Sequence, residues 1–118
     1  MTLNLSHNRI SKVEGLQNCK LLKTLDLSHN HISDIKSLEQ VTELSSLSNL
    51  DLKENLIEEH TNVVSFFSRL DTLTCLYLSG NPCVRMISHY RRQFAISMPN
   101  LYYLDDKPFF ENDCISKL

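Results

Sequence analysis

Glycine is nearly missing from this chain: Gly15 and Gly80 are the only two in 118 residues. A phosphate-cradling loop needs closely spaced glycines, because only they let the backbone close on an anion. No such loop can be written here, and neither GxSxG nor HExxH occurs. The sequence therefore predicts a non-catalytic chain that needs no cofactor. Its four cysteines, Cys19, Cys75, Cys83 and Cys114, form no CxxC pair and no close cluster, so neither a zinc site nor a redox dithiol is suggested. Reduced thiols in an intracellular protein are expected instead. No apolar run approaches the roughly 20 residues of a membrane-spanning helix, so no membrane partner is expected. A net charge of −2 gives no general case for nucleic acid.

What the chain does have is leucine at fixed intervals. The stretch LLKTLDLSHNHISDIKSL, residues 21–38, fits the template LxxLxLxxNxIxxI. Leu3, Leu5, Asn8, Ile10 and Val13 give an earlier copy. Leu47, Leu50, Leu52, Asn55 and Ile57 give a third, and Leu73, Leu76, Leu78 and Asn81 a fourth. The asparagines are separated by 22, 25 and 26 residues, periods in the range of leucine-rich repeats. In LxL both leucines point to one side of a short strand, and the residue between them to the other. One copy cannot bury its leucines alone, but stacked copies bury them as a continuous core. The amides of Asn8, Asn30, Asn55 and Asn81 can serve backbone groups where the chain bends off each strand. The opening MTLNLSHNRI is already repeat sequence, not a signal peptide. With no polar cap ahead of it, it reads as starting inside a longer protein.

The segments between strands carry helix signals. Ser11 to Glu14 has the form of a capping box, and Ser33 and Asp34 are N-cap types before Ile35, Leu38 and Val41. Val63, Phe66, Phe67 and Leu70 mark one helical face. A helix is expected over roughly 85–97, ended by Pro99. A last strand is expected at Leu101–Leu104, where Asp106 stops the leucine pattern. The domain reading is four repeats over 1–81, a C-terminal cap over 82–110 and a tail over 111–118. The fold class is α/β: a right-handed leucine-rich repeat solenoid, with a parallel concave sheet and short convex helices.

The outward positions of the sheet follow from the template. Asn4, Asp26, Asp51, Tyr77 and Asp105 fall in one column, and Thr2, Thr24, Asn49, Cys75 and Tyr103 in a second. Ser6, Ser28, Lys53 and Ser79 form a third. Exposed tyrosines are frequent interface anchors, and acids around them favour a partner with a basic rim. The predicted partner-binding residues are Asp26, Asn49, Asp51, Cys75, Tyr77, Tyr103 and Asp105. His7 and His29 share a repeat position near His31, and read as a solvated column, not a metal site. Arg85, His89, Arg91 and Arg92 read as a solvated helix face, with one arginine tied to Asp105 or Asp106. That makes nucleic acid an unfavoured partner.

The final stretch GNPCVRMISHYRRQFAISMPNLYYLDDKPFF, residues 80–110, resembles the cap of intracellular leucine-rich repeat proteins with short repeats. The resemblance lies in Asn81-Pro82, Tyr90-Arg91-Arg92, Pro99-Asn100-Leu101 and Tyr103-Leu104-Asp105. Within that group, YRRQF and YLDDKPFF look most like the leucine-rich repeat axonemal dynein assembly factors. The resemblance implies a scaffold or adaptor that acts in the cytoplasm and is associated with cilia. Its expected partners are dynein subunits or chaperones. The alternatives are a regulatory repeat protein of a phosphatase and an RNA-particle component.

Overall fold

The computed structural model describes residues 1–109; the tail expected at 111–118 lies outside the described residues. Six strands form one sheet in sequence order. They are β1 (Thr2–Asn4), β2 (Thr24–Asp26), β3 (Asn49–Asp51), β4 (Cys75–Tyr77), β5 (Tyr103–Leu104) and β6 (Lys107–Pro108). The first five run parallel, with Leu3, Leu25, Leu50, Leu76 and Leu104 in register. Leu25, Leu50, Leu76 and Leu104 are wholly buried. Each is worth about 2 kcal/mol of transfer free energy. Leu3, on the outer strand, is only half-buried.

The asparagines join one coil to the next. Asn30 donates through Nδ2 to Leu5 O at 2.9 Å and Leu27 O at 3.0 Å, and its Oδ1 accepts from Ile10 N at 3.0 Å. Asn55 repeats this with Leu27 O, Leu52 O and Ile32 N. Asn81 does so with Leu52 O, Leu78 O and Ile57 N. All three are buried. Asn8, in the first coil, is exposed and bonds only to carbonyls of its own coil, those of Leu5 and Ser6. The residue before each asparagine is left-handed: His7 (φ 59°), His29 (57°), Glu54 (56°) and Gly80 (84°). The strand exit thus has one backbone form in all four coils. The His7 and His29 rings stack there, 4.3 Å apart.

The connecting segments shorten or split the expected helices. Ile35–Glu43 is a 3-10 helix; Ile35, Leu38 and Val41 recur every three residues, which is its period. Asp34 caps it, accepting from Ser37 N at 3.0 Å. Val63–Phe67 forms α1, with Val63, Phe66 and Phe67 buried. The capping box at Ser11 starts no helix. Val13 N instead donates to Ser37 O of the next coil at 2.9 Å, and Gly15 turns the chain at φ 81°. The helix expected over 85–97 is two: α2 (Pro82–Met86) and α3 (Tyr90–Ser97). His89, at φ 53°, breaks them apart. Pro82 opens α2, where its missing N–H costs nothing. Phe94 of α3 is fully buried, with its ring 6.5 Å from that of Phe67.

After β5 the chain reverses instead of ending. Asp105 and Asp106 both take positive φ, 56° and 68°, as a two-residue hairpin turn demands. The chain then returns as β6, antiparallel to β5. Arg91 closes this end. Its guanidinium donates to Leu104 O at 2.8 Å, Pro108 O at 3.0 Å and Lys107 O at 3.2 Å, and lies over the Phe109 ring. The arginine expected on an acid therefore sits on carbonyls.

Candidate protein-binding face

The outward column of the sheet is built from short polar side chains that also end the strands. Asn4 Oδ1 accepts from Ser6 N at 3.0 Å and Ser6 Oγ at 2.7 Å. Asp26 accepts likewise from Ser28 N and Oγ, at 3.0 and 2.7 Å. Asp51 Oδ1 accepts from Lys53 N at 3.0 Å. A carboxyl or amide two residues back mimics a turn and supplies an acceptor that the strand has lost. Ser28 is thereby drawn inward and buried, although its column was expected to face out.

Tyr77 occupies the next position and cannot make this bond. Asp105 replaces it from the hairpin. Its Oδ1 accepts from Leu78 N at 2.6 Å and Ser79 N at 2.9 Å, and its Oδ2 from Tyr90 Oη at 2.7 Å. Both oxygens of Asp105 are thus used inside the chain. Burial, reinforced by the charge of Asp105, pushes the Tyr90 phenol well above its ordinary pKa.

Around Tyr77 the face is aromatic and charged. Lys53 Nζ lies 4.9 Å from the centre of the Tyr77 ring and 3.1 Å from Asp51 Oδ2. The hydrogen bond to Asp51 raises the Lys53 pKa, and Asp106 adds to it. Partial burial and the neighbouring Asp106 carboxylate raise that of Tyr77. Lys53 and Asp106 were not among the predicted binding residues. Lys53 could have been found, since it stands two residues beyond Asp51 on the same strand face.

The second column pairs in register as Thr2, Thr24, Asn49, Cys75 and Tyr103. Asn49 Nδ2 donates to Thr24 Oγ1 at 3.0 Å. Cys75 is a half-buried free thiol beside Tyr103, which is 44% exposed, and Tyr102 is 66% exposed. The face thus joins the exposed Tyr103 ring to the Tyr77, Lys53, Asp51 and Asp106 group. Asp26 lies one strand further on, in register with Asp51.

Elsewhere the chain offers less for recognition. An open groove of about 400 Å3 between Ile35–Glu43 and α1 is spanned by the Arg69–Glu39 ion pair at 2.7 Å. Both side chains are more than half exposed, so the pair adds little. Cys83 is buried, which raises its thiol to about 11 and makes it unreactive. Among the described residues no helix is long and apolar enough to cross a membrane.

A family model, leucine-rich repeats in two copies, matches residues 2–40. The leucine-rich repeat-containing protein ODA7 of Chlamydomonas reinhardtii is 42% identical over 73 residues, 62% of this chain and 17% of that protein. Human dynein axonemal assembly factor 1 is 36% identical over 75 residues, 64% of this chain and 10% of its own length. The chain thus spans a small part of the curated relatives it matches. Among solved structures, the Drosophila melanogaster SNF/U2A' complex contains a chain of similar fold. Its TM-score is 0.78 at 26% identity, covering 95% of this chain and 63% of that one. The Chaetomium Mex67:Mtr2 subunits give 0.66 at 26% identity, over 75% of this chain and 57% of theirs.

Proposed function

This chain has a leucine-rich repeat fold, and from that premise we propose that it is a non-catalytic scaffold that binds a protein partner on its sheet face. The observation that carries this reading is the exposed tyrosine-bearing end of that face, held rigid by the asparagine ladder behind it. Aromatic side chains on a rigid surface lose little conformational entropy on binding and commonly anchor interfaces. The likeness to ODA7 and to dynein axonemal assembly factor 1 supports a finer reading. In it the scaffold acts in the cytoplasm, in the assembly of axonemal dynein arms for cilia, and its partners are dynein subunits or chaperones. The candidate binding residues are Asp26, Asn49, Asp51, Cys75, Tyr77 and Tyr103. Asp105 shapes the face from within.

Affinity capture from the cytosol of ciliated cells tests both levels, with wild type beside a Tyr77→Ala/Tyr103→Ala variant. Dynein chains or their chaperones should be retained by wild type and lost by the variant. Retention by both baits would remove the face from the reading. Capture of phosphatase or RNA-particle proteins instead would remove the ciliary assignment.

A further inference from the structure

We infer that the segment bound by this face is basic: an extended stretch of a partner protein whose cationic side chains meet Asp26 and Asp106 while its apolar side chains rest on Tyr103. The inference rests on the scaffold reading and specifies its partner. Three carboxylates, Asp26, Asp51 and Asp106, border the face; Lys53 forms an ion pair with Asp51 and lies near Asp106, which leaves Asp26 without a cationic partner among the described residues. Asp26 spends Oδ1 on Ser28 and keeps its second oxygen for a partner.

The chain also displays the proposed mode of recognition in itself. Lys53 lies over a tyrosine ring with one carboxylate at 3.1 Å and a second nearby, the arrangement that attracts a cation. Tyr103 offers a further, uncovered ring one strand along, in register with Cys75. Thr24, Asn49 and Cys75 are small side chains in its column, so an extended backbone can approach the sheet there. An acidic partner would meet like charge at Asp26 and Asp106, and repulsion of that kind rejects wrong partners.

The fold itself supplies a conservative test. Asn4 holds the strand-end turn of the first coil with the same two bonds that Asp26 makes in the second, so Asp26→Asn removes charge without removing the turn. Asp106→Asn is equally mild, because asparagine tolerates the left-handed backbone at that site. The probes are two short labelled peptides, one alternating arginine with leucine and one alternating glutamate with leucine. Fluorescence anisotropy at low and raised salt reads their binding. A Glu14→Gln/Glu58→Gln variant, altered away from the face, controls for net charge.

The arginine peptide should bind wild type, weaken as salt rises, and bind Asp26→Asn/Asp106→Asn roughly tenfold more weakly. The control variant should behave as wild type. Equal binding of both peptides, or equal loss in the two variants, would overturn the inference. Used as a capture bait, Asp26→Asn/Asp106→Asn separates this idea from the scaffold reading. If it retains partners that the tyrosine variant loses, the basic segment is wrong and the scaffold stands.

Discussion

Replacing Asn55 by alanine should cost far more than the same change at Asn8, although both occupy the same place in the repeat. The magnitude follows from which backbone groups lose their partners. Asn55 is 2% exposed and serves Ile32 N, Leu27 O and Leu52 O at 3.1, 2.9 and 3.1 Å. Without it, Leu27 O still receives Asn30 Nδ2 at 3.0 Å, and Leu52 O still receives Asn81 Nδ2 at 2.8 Å. Only the buried N–H of Ile32 is left with no acceptor. One orphaned buried donor costs about 1–3 kcal/mol, and the weakened carbonyls add a smaller amount, so the expected loss is about 2–4 kcal/mol. Asn8 is exposed and serves no other coil, and water can replace it. Its loss should stay under about 1 kcal/mol. Urea unfolding followed by circular dichroism, with matched slopes, measures the difference. Equal losses for the two variants would refute the ladder as a coil-to-coil bond.

Three further outcomes follow from the cap and the strand exits. Asp105→Ala strips an acceptor from Leu78 N, Ser79 N and Tyr90 Oη; thermal unfolding should show a loss of about 3 kcal/mol or more, and Asp105→Asn a smaller one. Gly80→Ala places a side chain at φ 84° and against the Glu54 carboxylate. It should cost about 1–2 kcal/mol by urea unfolding, and a Glu54→Ala background should recover only the contact, not the backbone strain. The Tyr90 pKa is raised by burial, so its stabilisation is complete below the unfolded value of about 10. As pH rises above that value the unfolded chain releases the proton first, and stability falls. Spectrophotometric titration should show tyrosine ionisation lagging until the chain unfolds, and Tyr90→Phe should remove the larger part of the lag, leaving the part due to Tyr77.

The repeat core was legible because its signal is periodic. Leu25, Leu50 and Leu76 align by count alone, and the register of the sheet and its two main outward columns followed. The misreadings fall where tertiary bonds outbid local ones. Ser11 to Glu14 satisfies a capping rule, yet Val13 N finds Ser37 O in the next coil and no helix forms there. The break at His89 has no composition signal, because a left-handed histidine looks like any other in sequence. The start of α2 was readable, since Asn81-Pro82 is an N-cap followed by a first-turn proline.

Asp105 shows how the face and the cap constrain each other. In three coils the outward residue two before the strand exit is Asn4, Asp26 or Asp51, and each ties down its own turn. The fourth coil has tyrosine there, which adds an aromatic surface and leaves the Ser79 N–H without a local acceptor; Leu78 N, whose counterparts Leu5, Leu27 and Leu52 donate to a backbone carbonyl of the next coil, also turns to a side chain here. Those donors are answered from residue 105, itself fixed by Tyr90 of α3. The hairpin that supplies Asp105 also brings Asp106 beside Tyr77 and ends the parallel sheet. A departure from a local rule with its compensation built elsewhere is expected at a functional position. By that logic Tyr77 is the residue on this face whose presence the fold alone does not explain, and recognition of a partner is what would explain it.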